Sequence, residues 1–157
     1  MRKFTLVVLA HNIRSTYNVG SVFRTANAFG VNQVLLSGYT PRPDTQPKVG
    51  KTALGAEHSV PWRGFKRFSD AIKYVKREVP GISIVALENN LPDKSVMSLK
   101  KYVQKGPILL VLGEEVAGLN RKYYKYIDQF VEIPMQGKKE SLNVATACGI
   151  ALFHLRK

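Results

Sequence analysis

Short apolar runs alternate along this chain with longer amphipathic or polar stretches, the order expected of strands and helices in turn. Residues 4–10 are largely apolar and rich in β-formers, as in a strand covered on both faces. Residues 11–17 are polar and loop-like. Asn18 is placed to cap a helix running to about Phe29, with Gly30 just past its end, and residues 34–36 supply a second strand. Residues 38–50 carry three prolines and several polar side chains, so they are expected to run over the surface as a functional loop. Residues 69–78 predict a second helix capped by Ser69, with Lys73, Lys76 and Arg77 on one face. Strands follow at residues 82–87 and 107–112, the latter entered by Pro107, where a missing donor is tolerated. A short basic helix at residues 121–126 precedes a strand containing Phe130, Val131 and Ile133, which Pro134 ends. After a polar loop with Gly137, residues 141–155 form a helix without Asp, Glu, Lys or Arg. Apolar residues sit on every side of that helix, so it is expected to be buried nearly all round, with partners on both sides. The alternation predicts an α/β fold: a mostly parallel sheet with helices on both faces.

The 157 residues suit one domain, 1–157, and are enough to bury a real core. Charge changes the picture more than size. With 24 Lys and Arg against 11 Asp and Glu, the net charge of +13 favours a polyanionic partner such as nucleic acid. The single Cys148, inside the apolar helix, excludes an intrachain disulfide and suits a reducing interior. The basic start and short apolar run at the N-terminus are too brief for a spanning helix, and no small-residue cleavage site follows. A cytoplasmic protein is expected, with no membrane partner.

Gly50-Lys51-Thr52 ends like a phosphate-binding loop, but Thr45 stands where its first glycine belongs and Pro47 interrupts it. His11, His58 and His154 are far apart and there is one cysteine, so no metal-ligand spacing exists and no metal is expected. In Asn18-Val-Gly-Ser-Val-Phe-Arg24, asparagine and arginine lie six residues apart and do not share a helix face. On spacing alone this is a capped helix bearing a surface arginine. Leu110-Val-Leu-Gly-Glu-Glu-Val-Ala-Gly-Leu119 is a buried strand that ends at Gly113 with Glu115 just beyond, where α/β sheets place ligands, or simply a turn with two solvated acids.

Taken in order, these two segments and Ile133-Pro-Met-Gln-Gly-Lys-Lys-Glu-Ser-Leu-Asn-Val-Ala-Thr-Ala147 resemble the three motifs of the SpoU-type (TrmH-like) RNA ribose methyltransferases, a branch of the SPOUT superfamily. The likeness covers nearly the full length. It implies the SPOUT α/β knot, with a C-terminal trefoil knot, and a homodimer in which one subunit's arginine serves a site shared with its partner. It implies S-adenosyl-L-methionine as cofactor, held by Leu87, Gly113, Ile133 and Ser141 with Met135 and Leu142 against the adenine. Arg24 matches the central catalytic residue and Glu115 the motif acid, while Asn18, Ser141 and Asn143 would position ribose or phosphate. The implied activity is methylation of an RNA ribose 2′-oxygen, on tRNA ahead of rRNA. A second reading is an RNA-binding protein on the same fold that has lost catalysis. The set Asn18, Arg24, Glu115, Ser141 and Asn143 argues against it, because a pure binder would not need all five.

Overall fold

The structure is a computed structural model and describes residues 4–89, 91 and 95–157; the basic start read at residues 1–3 lies outside the described residues. In chain order the elements are β1 (Leu6–His11), α1 (Thr16–Ala28), β2 (Gln33–Ser37), α2 (Gly50–Ala53), α3 (Ala56–Ser59), β3 (Trp62–Phe65), α4 (Phe68–Glu78), β4 (Ser83–Leu87), β5 (Val96–Ser98), β6 (Ile108–Leu112), β7 (Gln129–Glu132) and α5 (Val144–Leu155). Among the described residues, seven strands form one sheet in the order β3-β2-β1-β6-β4-β7-β5, and every pair is parallel. All carboxyl ends therefore share one edge, where α/β sheets place ligands.

Strand alternation divides the core into two layers. Leu6, Val8 and Ala10 of β1 pack with Val19, Val22 and Phe23 of α1 and with Cys148, Ala151, Leu152 and Leu155 of α5. Val7 and Leu9 face the other way, towards Phe68, Ala71, Ile72 and Val75 of α4. Helices thus cover both faces, as the sequence predicts. Cys148 is fully buried, and burial pushes its thiol up to about 12, so it packs rather than reacts. Among the described residues no helix is long and apolar enough to cross a membrane.

Some expectations are corrected. Strands β3 and β5 occupy the two sheet edges and are short, and the mixed composition of Trp62-Arg63-Gly64-Phe65 hides a strand from pattern reading. Ser15, not Asn18, caps α1: its hydroxyl accepts the Asn18 backbone N–H at 3.2 Å, which leaves the Asn18 side chain free for other work. Helix α4 starts one residue before Ser69, with Arg67 at the cap and no side chain bonded there. The last helix begins at Val144 rather than at Ser141, capped by Asn143 Oδ1, which accepts from the N–H groups of Ala145 and Thr146 at 2.9 and 3.2 Å. Nor is that helix covered all round. Ile150 and Phe153 are 41% and 59% exposed, so one apolar side stands open in the single chain.

Gly50-Lys51-Thr52 forms the short helix α2, which packs on α1. Thr52 Oγ1 donates to the Tyr17 carbonyl at 2.8 Å. A Cβ on Gly20 would fall 2.0 Å from Thr52 Oγ1 and 2.3 Å from the Val49 carbonyl oxygen, so only glycine lets these backbones approach. Gly20→Ala is expected to lose about 1–3 kcal/mol of stability in urea unfolding, even though alanine favours a helix interior by about 1 kcal/mol.

Candidate cofactor pocket and active site

The carboxyl ends of β4, β6 and β7 and the start of α5 enclose a cavity of about 290 Å³. Its apolar lining includes Leu87, Leu112, Ile133, Met135 and Leu142, while among the described residues its charged lining is Glu88, Glu114, Glu115 and Glu140, with no Lys or Arg. Four of the 11 acidic residues of a chain carrying +13 thus meet in one place. Such a pocket suits an apolar ring system attached to a cation and repels a phosphate.

Two glycines shape its wall. A Cβ on Gly113 would lie 2.5 Å from the Leu119 backbone nitrogen, so what approaches this glycine closely is the chain's own turn as well as any ligand. That turn is closed by Glu114 N–H donating to the Gly118 carbonyl and by Gly118 N–H donating back, at 3.3 and 3.1 Å. Gly118, at φ +68°, lies against the Glu88 carboxylate, which accepts the Leu119 N–H at 2.5 Å. Burial pushes the Glu88 carboxyl up to about 7, against the lowering effect of that N–H. Asn89 holds the opposite wall: its amide donates to the carbonyls of Ile133 and Glu140, at 3.1 and 3.4 Å.

A second group of contacts ties the ends of β1 and β6 to the starts of α1 and α5. The Glu115 carboxylate accepts the backbone N–H groups of Arg14 and Ser15, both at 3.1 Å, and the Asn18 side-chain amide at 3.2 Å. Burial would raise this carboxyl, but the three donors outweigh it and hold Glu115 below the usual carboxylate range. Asn143 Nδ2 donates to Asn18 Oδ1 at 3.0 Å and completes the chain Glu115–Asn18–Asn143. Freed from capping, Asn18 is the hinge of this network. Arg24 lies outside it, exposed on α1, and does not line the cofactor-sized cavity of its own chain.

A sequence model of the SpoU rRNA Methylase family matches residues 5–153. The chain belongs to the SpoU rRNA methylase family. Similar proteins include the 23S rRNA (guanosine-2′-O-)-methyltransferase RlmB of Coxiella burnetii, 32% identical over 97% of this chain and 58% of its own length. The 23S rRNA (guanosine(2553)-2′-O)-methyltransferase RlmP of Bacillus subtilis is 29% identical over 96% of this chain and 57% of its own. The chain therefore spans somewhat more than half the length of these curated relatives. Among solved structures, the SpoU methyltransferase AviRb from Streptomyces viridochromogenes in complex with AdoMet superimposes with a TM-score of 0.85 at 27% identity, over 98% of this chain and 57% of that one. A structure reported for 2-OH methylation of C/U34 on tRNA gives 0.82 at 25% identity, over 96% of this chain and 93% of that one.

Within this SpoU-family chain, all six residues expected at the cofactor, Leu87, Gly113, Ile133, Met135, Ser141 and Leu142, line the same acidic cavity. Of the five expected at the chemistry, Glu115 and Ser141 line it as well, and Asn18 and Asn143 join Glu115 by hydrogen bonds. Arg24 is the one the single chain does not bring in. Sequence reading missed Glu88 and Asn89, although two polar residues directly after a buried parallel strand are a signal for a site. Among the described residues no group of three or more His, Cys, Asp or Glu is placed to hold a metal ion.

Proposed function

We propose that this chain is an S-adenosylmethionine-dependent methyltransferase acting on a ribose 2′-hydroxyl of RNA. The observation that carries the reading is the cavity that gathers acids and apolar side chains and, among the described residues, no Lys or Arg. The cofactor joins an adenine to a sulfonium cation, has no phosphate, and when bound supplies an electrophilic methyl group. Leu87, Ile133, Met135 and Leu142 would bury the ring, backbone groups at Gly113 and Ile133 would recognise its edge, and the carboxylates would favour the positive charge. The Glu115–Asn18–Asn143 network fixes two amides where a ribose or its phosphate can be oriented. Arg24 has donors and no acceptor, so its part is to hold phosphate and stabilise developing alkoxide charge, not to take the proton.

The proposed assembly is a homodimer. Its support is the open side of α5 with Ile150 and Phe153, next to a groove against α1 lined by Phe29, Thr146 and Gly149. A second copy covering this strip would bring the partner's α1, with its exposed arginine, to a pocket that none of the described arginines lines. The proposed substrate is tRNA, supported by the near-complete mutual coverage with the structure concerned with C/U34 on tRNA. The names of the curated relatives favour 23S rRNA as a second reading. Single-turnover methylation of tRNA and 23S rRNA transcripts, followed by nuclease digestion, tests both. Methyl on a base, or on neither RNA, would refute the assignment.

Glu88 gives the reading a pH signature. With its carboxyl raised from 4.5 to about 7, the folded protein without ligand holds a proton in that interval that the unfolded chain has released, so stability falls as pH rises through it. A cationic ligand favours the ionised form. Cofactor affinity is therefore expected to rise about tenfold from pH 6 to pH 8, following the ionised fraction, with proton release on binding. Calorimetry in buffers of different ionisation enthalpy measures both, and Glu88→Gln should abolish the pH step.

A further inference from the structure

A second cavity, of about 440 Å³, opens at the carboxyl ends of β1 and β2, and its charge is the reverse of the first. Lys66, Arg67 and Lys122 line it, and among the described residues no carboxylate does. The two cavities meet at one hydrogen bond. Asn12, which lines the basic cavity, donates its amide to Glu114, which lines the acidic one, at 3.2 Å.

Two independent features of this cavity point to an anionic ligand. The first is the start of α4, an 11-residue helix whose first turn, with Ser69, faces the cavity and which no side chain caps. Its leading N–H groups call for an acceptor from outside the helix. The second is His11, which lines the cavity although it is only 3% exposed. Its Nδ1 lies 2.8 Å from Ser37 Oγ, while its Nε2 has no partner among the described residues. A buried ring nitrogen left unpaired costs free energy that a ligand atom would recover. Burial pushes this imidazole down to about 4, with Glu114 opposing and Lys122 adding to the fall, so at neutral pH the ring is uncharged. In the tautomer in which the Ser37 hydroxyl donates to Nδ1, Nε2 carries the proton and can donate it to an oxygen.

The rim is kept open by glycine. Gly38 sits at φ +66°, and a Cβ there would fall 1.8 Å from Asn12 Oδ1 and 3.3 Å from His11 Cε1. Beside it Tyr39 is 51% exposed, with the Arg14 guanidinium 5.9 Å from its ring centre, a platform on which an unpaired base can stack.

We propose that this basic cavity binds a backbone phosphate of the RNA substrate, adjoining the ribose presented to the cofactor pocket; the proposal rests on the methyltransferase reading above. The cation-seeking cavity takes the methyl donor and the anion-seeking cavity beside it takes the acceptor's backbone. The Asn12–Glu114 bond fixes their spacing. Phosphate held here would set the register of the RNA without reading its sequence.

The test uses the full chain, transcripts of tRNA and 23S rRNA, and inorganic phosphate as the minimal probe. Lys66→Ala/Arg67→Ala is expected to weaken RNA binding about tenfold near 100 mM salt and to lower the slope of log affinity against log salt by ~1–1.5. Lys100→Ala/Lys101→Ala, which removes the same charge near the opposite sheet edge, should change affinity less than twofold. Inorganic phosphate should shift the His11 Nε2 nitrogen resonance of the wild type, and not of the Lys66→Ala/Arg67→Ala protein, while calorimetric binding of S-adenosylmethionine stays unchanged in both. Equal weakening by the two double variants would reduce the effect to diffuse charge and overturn the proposal, as would an unmoved His11 resonance. A wild type that moves no methyl to ribose sinks the methyltransferase reading instead, and the phosphate titration then still decides whether the cavity binds anions.

Discussion

Arg24→Ala is expected to lower the single-turnover rate of methyl transfer by about 10²–10³, the scale of losing one preorganised electrostatic donor, while leaving S-adenosylmethionine affinity within about twofold. The two effects separate because Arg24 does not line the cofactor cavity of its own chain. Asn18 turns towards Glu115 and Asn143, and six residues later the helix has rotated by about 240°, so Arg24 points elsewhere. In the proposed homodimer, the arginine that serves one subunit's pocket comes from the second copy. That arrangement makes a sharper prediction. Arg24→Ala subunits mixed with subunits whose pocket is filled by Ile133→Trp should recover roughly a quarter of wild-type activity. Half of a random mixture is mixed dimers, and each of those has one complete site. If the arginine served its own chain, the mixture would stay as inactive as its parts. Monomeric mass by light scattering at micromolar concentration would remove the basis of the prediction altogether.

The cofactor side of the site was more legible in the sequence than the arginine side, and the reason is physical. Leu87, Gly113 and Ile133 end or directly follow buried parallel strands, so register alone carries them to one edge. Apolar runs announce such strands clearly. Asn18 was harder, because an asparagine before a helical run reads as a cap, and only the structure shows that Ser15 takes that duty. Edge strands β3 and β5 were illegible: each is short and pairs on one side only, and Arg63 and Gly64 mask the pattern. The charge-free helix at the C-terminus carries more apolar surface than one small domain readily covers. Its composition promised burial on every side, and the single chain leaves Ile150 and Phe153 in the open. Composition reports that a surface wants cover without saying whether the same chain provides it. The basic cavity escaped because its residues come from four separate segments, around His11, Gly38, Arg67 and Lys122, which no linear motif joins.

Glu115→Ala is expected to slow methyl transfer about 10²-fold through displacement rather than through lost charge. The carboxylate anchors Arg14 and Ser15 through their N–H groups and Asn18 through its amide, and Asn18 in turn holds Asn143. Removing the acceptor releases the loop before α1 and both amides together, and a displacement of about 1 Å at positioning groups is enough for such a loss. The stability effect should be smaller, no more than about 1–2 kcal/mol, because the site is half-exposed and water can serve the abandoned donors. Its pH dependence has a definite sign. Glu115 is held below its ordinary 4.5 in the folded protein, so its contribution is fully present above that value and is lost as pH falls through the depressed one. The gap in urea midpoint between wild type and Glu115→Gln should therefore hold steady from pH 8 to about pH 5 and close in more acid solution. Glutamine keeps the shape and one acceptor oxygen, so it should recover part of the rate that alanine loses. A gap that persisted unchanged at the lowest pH would show that the carboxylate's charge contributes nothing, and equal rates for alanine and wild type would show that the network does not position the reacting groups.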